Sequence, residues 1–294
     1  RRQRQMCIRD SVIPVYKAVP KLTELASFRQ CIKVLKSFDL CLVTYEELDL
    51  TVYKGIAKEY SKEIKVKCFE RHFFASVTGY NKLCYNIDFY SAFRNYDYML
   101  IYQLDAWVFR DELQMWCEKG YDYIGSPLFK NISLQGEFPM YSKEMLGVGN
   151  GGFSLRRIQY CIKLLERWKW LPYLTPGYLW KIYSAEKLRG GWKKFYLFPF
   201  VAYIIFLKTL GVRNTSNHFI KSGIVNEDIY FSEWALHAWG VKVNLPSCTE
   251  ASLFSLEVNP SYLYALNGKL PFGCHAFEKW EFDTFWSKYI QISI

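Results

Sequence analysis

Hydrophobic and polar positions along the first third of the chain switch between two periods. The run SVIPVY (11–16) is β-branched and interrupted by Pro14, which reads as a strand. In ELASFRQCIKVLKSF (24–38), Leu25, Phe28, Ile32 and Leu35 recur every three or four residues, predicting a helix. DLCLVTY (39–45) and IKVKCF (64–69) read as strands again, and NIDFYSAFRNY (86–96) as a helix. YDYMLIYQLDAWVF (96–109) reads as a buried strand, and YDYIGSP (121–127) as a short strand ending in a turn. Further on, VNEDIYFSEWALHAWGVKVNLPS (225–247) predicts a helix and then a strand, ahead of a loop-rich tail. Strands alternating with helices predict an α/β fold, a mainly parallel sheet flanked by helices on both faces. Such sheets bind ligands at the carboxyl ends of their strands.

The stretch 166–211 breaks this pattern. It interleaves Lys169, Lys181, Lys187, Arg189, Lys193 and Lys194 with Trp168, Trp170, Trp180 and Trp192. Two readings stand: an amphipathic insertion lying on a membrane surface, or a helical subdomain packed on the core. Its apolar run FYLFPFVAYIIFL (195–207) contains Pro199 and is shorter than the roughly 20 residues of a spanning helix.

Composition adds three constraints. A hydrophobic fraction of 51% over 294 residues is enough for a sizeable core and argues against disorder. A net charge of +10 points to anionic partners, namely nucleotide phosphates, nucleic acid or an acidic membrane surface. No helix-turn-helix, RNP or zinc-finger pattern is present, so nucleic acid is set aside. Nine scattered cysteines without a CxxC pair imply reduced, mostly buried thiols and a cytoplasmic setting. The basic start RRQRQMCIRD has no apolar run after it, so no signal peptide is expected.

Four features can carry chemistry. Asp105, in QLD at the end of an apolar strand, either binds a divalent cation that offsets its burial or caps the next segment. GVGNGGFSLRR (147–157) places Gly149, Gly151 and Gly152 around Asn150. A helix expected just after it would turn its first amides toward an anion; a plain tight turn is the other reading. Asn226, Glu227 and Asp228 suit a helix start by composition, with a cleft-facing general base as the functional alternative. His275, framed by Pro, Gly and aromatics in LPFGCHAF, is a candidate metal ligand or a structural residue.

The order of these features resembles the GT-A fold of nucleotide-sugar glycosyltransferases. More closely, LIYQLDAWVF, YDYIGSP, GNGGFSLR, NED and LPFGCHAF look like a bacterial glycosyltransferase-like family first catalogued as a domain of unknown function, found near polysaccharide-biosynthesis genes. The resemblance runs from about residue 8 to 280 and covers 166–215 poorly. It implies a single GT-A-like domain over 1–294, with 166–215 as a helical insertion for which both readings above, membrane association or packing on the core, stay open. The implied activity is transfer of a hexosyl group from a nucleoside-diphosphate sugar, a UDP-sugar, to a hydroxyl of a saccharide or lipid-linked saccharide. The setting would be cell-surface polysaccharide synthesis, such as lipopolysaccharide or capsule, with the protein cytoplasmic or peripheral at the inner membrane. Asp105 and His275 would hold Mn²⁺ or Mg²⁺, with Gln103 standing where the family's first Asp falls. Pro14, Val15 and Tyr16 would meet the base, Gln103, Asp105 and Ala106 the donor, Gly151 and Gly152 its sugar, and Arg156 the acceptor or phosphates. Asp228 would be the base of an inverting transfer and Glu227 would hold the acceptor, or the two would exchange these roles. Two rivals share the sheet: a sugar nucleotidyltransferase, disfavoured because PVYKAVPKLTE has no glycine, and a catalytically inactive GT-A-like binding module.

Overall fold

The computed structural model of the protein describes residues 9–133, 140–187 and 193–292. The chain begins β1 (Arg9–Pro14), α1 (Leu22–Val34), β2 (Asp39–Thr44), α2 (Thr51–Glu59) and β3 (Lys65–Cys68). After α3 (Val77–Cys84) and α4 (Ile87–Ser91) comes β4 (Tyr98–Tyr102), then β5 (Trp107–Val108), α5 (Leu113–Glu118) and β6 (Tyr123–Ile124). A hairpin of β7 (Ser126–Ser133) and β8 (Met140–Gly149) precedes β9 (Phe153–Arg157).

The main sheet has six strands in the order β3-β2-β1-β4-β9-β6. The first four are mutually parallel, and β9 runs antiparallel to both β4 and β6. The alternation within each strand divides the core between two faces. Val12, Cys41, Val43, Met99 and Ile101 point to one apolar layer, and Ile13, Leu40, Leu42, Leu100 and Tyr102 to the other. With both faces covered, the strands carry continuous apolar runs, as the sequence predicts for a mainly parallel sheet. Of the eight cysteines described, six are buried.

Three local expectations are corrected. The run 96–109 is not one strand: β4 ends at Tyr102, a turn follows, and β5 belongs to a separate small sheet. The residues after the glycine pair form β9, and the helix begins only at Ile158. Pairing with β4, from Tyr98↔Arg157 to Tyr102↔Phe153, outweighs the local helical signal there. Finally, 241–246 forms no strand.

The helical segment comprises α6 (Ile158–Arg167), α7 (Pro176–Lys187), α8 (Lys193–Thr209) and α9 (Ser216–Ser222). Arg189 and Trp192 lie outside the described residues. The segment is joined to the core, not separate from it. Tyr173 stacks on Tyr230 with ring centroids 4.5 Å apart and donates its hydroxyl to the Tyr230 carbonyl at 2.7 Å. Tyr230 lies in α10 (Glu227–Phe231), so the segment's base is fixed to that short helix. The chain closes with α11 (Cys248–Phe254), β10 (Ser255–Leu256), α12 (Pro260–Asn267) and β11 (Gly273–Cys274). β10, β11 and β5 form the small sheet, in which Cys274 sits opposite Trp107.

Candidate active site

A cleft of about 530 Å³ opens at the carboxyl ends of β1 and β4. Pro14, Val15 and Tyr16 line one wall, Gln103 and Asp105 the floor, and Ser76 and Tyr80 the opposite wall. Tyr16 is half exposed, so a flat ring is presented to anything entering.

The floor is built by backbone bonds. The Gln103 N–H donates to the Gly152 carbonyl at 2.8 Å, and the Ala106 N–H donates back to the Gln103 carbonyl at 2.9 Å. This closes a turn that lifts Asp105 into the cleft with its side chain 42% exposed. Ala106 is fully buried beneath the floor, with its carbonyl bonded by Ser27 Oγ. It therefore shapes the site without reaching a ligand, which corrects its expected donor contact.

Pairing of β11 with β5 delivers His275 from the far end of the chain to this turn. Its Nε2 lies 3.2 Å from Asp105 Oδ1 and 3.2 Å from Gln103 Oε1, while Nδ1 lies 3.2 Å from Glu257 Oε1. Burial alone would lower the His275 pKa, but the two carboxylates raise it to about 10. Burial pushes the Asp105 carboxyl upward; the His275 charge and hydrogen bond, its own backbone N–H and Lys17 outweigh this and hold it below 3.8. Among the described residues no three His, Cys, Asp or Glu side chains cluster around a common metal position.

Asn150, Gly151 and Gly152 form the hinge between this floor and the second half of the site. Asn150 adopts a left-handed φ of 73°, its Oδ1 accepts from the Gly152 N–H at 2.9 Å, and its Nδ2 reaches Ser126 Oγ at 3.2 Å. The glycines are required by their neighbours. A Cβ on Gly152 would lie 1.9 Å from His275 Nε2, and one on Gly151 would lie 2.1 Å from Glu227 Oε1. Each glycine thus admits one functional side chain to the end of β9.

Across the hinge, the Asn150 N–H donates to Asp228 Oδ2 at 2.8 Å. Asp228 stands in the first turn of α10 and is partly open. Burial, and then the neighbouring Glu227 charge, push its carboxyl from 3.8 up to about 6; amide bonds from Asn150 and Ile229, and Arg156, pull the other way. Glu227 is buried and paired with fully buried Arg156 at 2.9 Å. Arg156 also donates to Ser154 Oγ at 3.1 Å and Tyr90 Oη at 3.0 Å, and lies over the Tyr123 ring. Both expectations for this pair are corrected. With no exposed surface, Arg156 cannot meet an acceptor or phosphates, and Glu227 is committed to Arg156. Asn226 makes no side-chain cap and instead accepts from Asn81 at 3.2 Å.

The structure therefore brings Gln103, Asp105, Gly152 and His275 together, and sets Asp228 beside them through Asn150. Sequence reasoning missed Glu257, Ser76, Tyr80 and Lys17. Lys17 directly follows the PVY run and could have been included; the other three carry no spacing signal.

A mixed α/β fold with a cleft of mixed lining at its strand ends and two carboxylates flanking a glycine hinge is thus defined. The chain belongs to the family described as Protein of unknown function (DUF5672), whose model matches residues 63–275. The match starts within the region leading to β3, so β1 and the PVY wall lie outside it. No curated protein matches the sequence. Among solved structures, S. aureus TarS 1-349 is 14% identical, with a TM-score of 0.31, over 52% of this chain and 48% of that one. The chain thus spans about half the length of that structure. Core-mannan synthase A from Aspergillus fumigatus, in its Mn/GDP-form, is 10% identical with a TM-score of 0.36 over 76% and 71% of the two chains. A cytidylyltransferase from Leptospira borgpetersenii is 12% identical with a TM-score of 0.33 over 55% and 65%. What the site can do follows from its own geometry.

Proposed function

We propose that the protein is a GT-A-type glycosyltransferase, moving a sugar from a nucleoside-diphosphate sugar to an acceptor hydroxyl with inversion. The observation that carries this reading is Asp228: a partly open carboxyl raised to about 6, bonded to the same glycine hinge that supports the Asp105–His275 floor. A carboxylate that ionises near neutral pH beside a cleft is suited to taking the proton of an acceptor hydroxyl in an inverting transfer.

In this reading Tyr16, Pro14 and Val15 bind the base of the donor, and the floor of the cleft faces its diphosphate. Asp228 takes the proton from the acceptor O–H as that oxygen forms a bond to the anomeric carbon. The bond from that carbon to the diphosphate oxygen breaks, and its electron pair leaves with the diphosphate. Glu227 and Arg156 act as positioning residues: the pair holds α10 against β9, and the Glu227 charge keeps Asp228 basic.

A divalent cation fits the donor set of the floor. Asp105 Oδ1, Gln103 Oε1 and His275 Nε2 converge, and Glu257 orients the ring from Nδ1 as second-layer carboxylates do at metal-bound imidazoles. When bound, Mn²⁺ or Mg²⁺ would supply charge neutralisation to the diphosphate. His275 must give up its Nε2 proton to ligate, so affinity for the ion rises with pH.

The acceptor class, a saccharide or lipid-linked saccharide, and UDP as the nucleotide are part of the proposal. A panel of nucleotide sugars with and without Mn²⁺, read by thermal unfolding, tests it. One nucleotide class should raise the melting temperature of the wild type and of Asp228→Asn, but not of Asp105→Ala; saturation a hundredfold above Kd corresponds to about 2.7 kcal/mol. No stabilisation by any nucleotide sugar, or full transfer by Asp228→Asn, would reject the reading. Release of pyrophosphate in place of nucleoside diphosphate would assign a nucleotidyltransferase.

A further inference from the structure

Helix α8 is apolar on both sides. Val201 and Ile205 face inward and are buried. On the opposite side Tyr196, Phe200, Tyr203, Phe206 and Leu210 recur every three or four residues and are 81%, 55%, 59%, 58% and 63% exposed. An aromatic stripe of this size facing water marks an interaction surface.

The charge around it names the occupant. Between residues 159 and 224 the sequence has eleven Lys and Arg against two acids, Glu166 and Glu186. Nine of the ten net positive charges therefore belong to this segment, and the rest of the chain is close to neutral. Lys169, Lys181 and Arg213 are exposed there. A second copy of the chain would bring the same positive charge and be repelled, whereas an anionic lipid surface neutralises it.

We infer that this face docks on an anionic bilayer, with α8 lying in the headgroup plane, its aromatic stripe inserted and the surrounding cations on lipid phosphates. The 17 residues of α8 make a rod about 25 Å long. Among the described residues no helix is long and apolar enough to cross a membrane, so docking is in the plane of the surface. The Tyr173–Tyr230 stack ties the base of the docked segment to α10, the helix that carries Asp228. The inference stands on exposure and charge and does not depend on the chemistry assigned to the cleft.

Vesicle flotation with the full chain tests it. The protein should float with phosphatidylcholine–phosphatidylglycerol vesicles at low salt and much less with phosphatidylcholine alone. Binding should be lost near 1 M salt, where the Debye length is about 3 Å. Phe200→Glu with Tyr203→Glu, both exposed positions, should abolish flotation without changing the melting temperature. Lys169→Gln, Lys181→Gln and Arg213→Gln should each weaken partitioning about fivefold. Absence of flotation at low salt, equal binding to neutral vesicles, or wild-type binding by the double variant would overturn the inference. So would concentration-dependent self-association that the double variant disperses while vesicles are ignored, which would assign the stripe to a second copy.

Discussion

Replacing Asp228 by Asn removes a charge while keeping an oxygen that can accept the Asn150 N–H. The carboxyl is carried from 3.8 to about 6 because its charged form is partly buried and lies beside Glu227. A folded-state pKa above the unfolded one means that the native protein holds the proton more tightly. The stabilising effect is therefore complete below the unfolded value and is lost as pH rises through about 6. At neutral pH the wild type carries the full cost of the charged group, on the order of 3 kcal/mol, which Asn does not. Asp228→Asn should therefore unfold at a higher temperature than the wild type, by about 6 °C at neutral pH, with the gap closing as pH falls toward the unfolded value. Taking the difference between the two proteins cancels His275. Its own contribution, from a pKa raised to about 10, is full below 6.5 and lost as pH rises toward 10. In the same preparation, transfer should fall by about 10²–10⁴, and the wild-type pH–rate profile should rise through about 6. Thermal unfolding of both proteins across this range, alongside nucleoside-diphosphate release, makes the measurement. A stability gap that does not change with pH would show that Asp228 is not raised and would remove the ground for its role as base.

Two further predictions concern the groups that hold the site together. Gly152→Ala places a Cβ where His275 Nε2 stands, so the ring must move; nucleotide-sugar stabilisation should disappear, at a cost to the fold of about 1–3 kcal/mol, and denaturant unfolding separates the two effects. Glu227→Ala leaves the buried Arg156 guanidinium without its carboxylate and should destabilise the protein by about 3–5 kcal/mol, whereas replacing Arg156 and Glu227 together by apolar residues should recover most of that loss.

The elements legible in the sequence were those whose period is written locally. β1, α1, β2, β3 and β4 occur where alternation or three-and-four spacing places them, and Glu227 and Asp228 do open a helix. The misreadings share a cause. β5, β10 and β11 have two residues each, too few to show a period, and their pairing alone carries His275 to Asp105. β9 was hidden because its strand state comes from partners β4 and β6 and not from its own composition. Arg156 and Glu227 look ligand-facing in the sequence because nothing in a linear sequence distinguishes a charge in a cleft from one paired inside the core.

Residue types and their order determined that the chain has an α/β sheet, that an acid follows its central strand, and that its positive charge is concentrated between residues 159 and 224. These follow from side-chain chemistry and local period, which no folding event alters. The tertiary structure decided the surroundings of each carboxylate. Asp105 is held below its ordinary pKa by His275 while Asp228 is lifted to about 6, and Glu227, one residue away, is buried in an ion pair with Arg156. Burial and distance set those differences, and much of both comes from segments more than seventy residues apart in the chain that pack against one another.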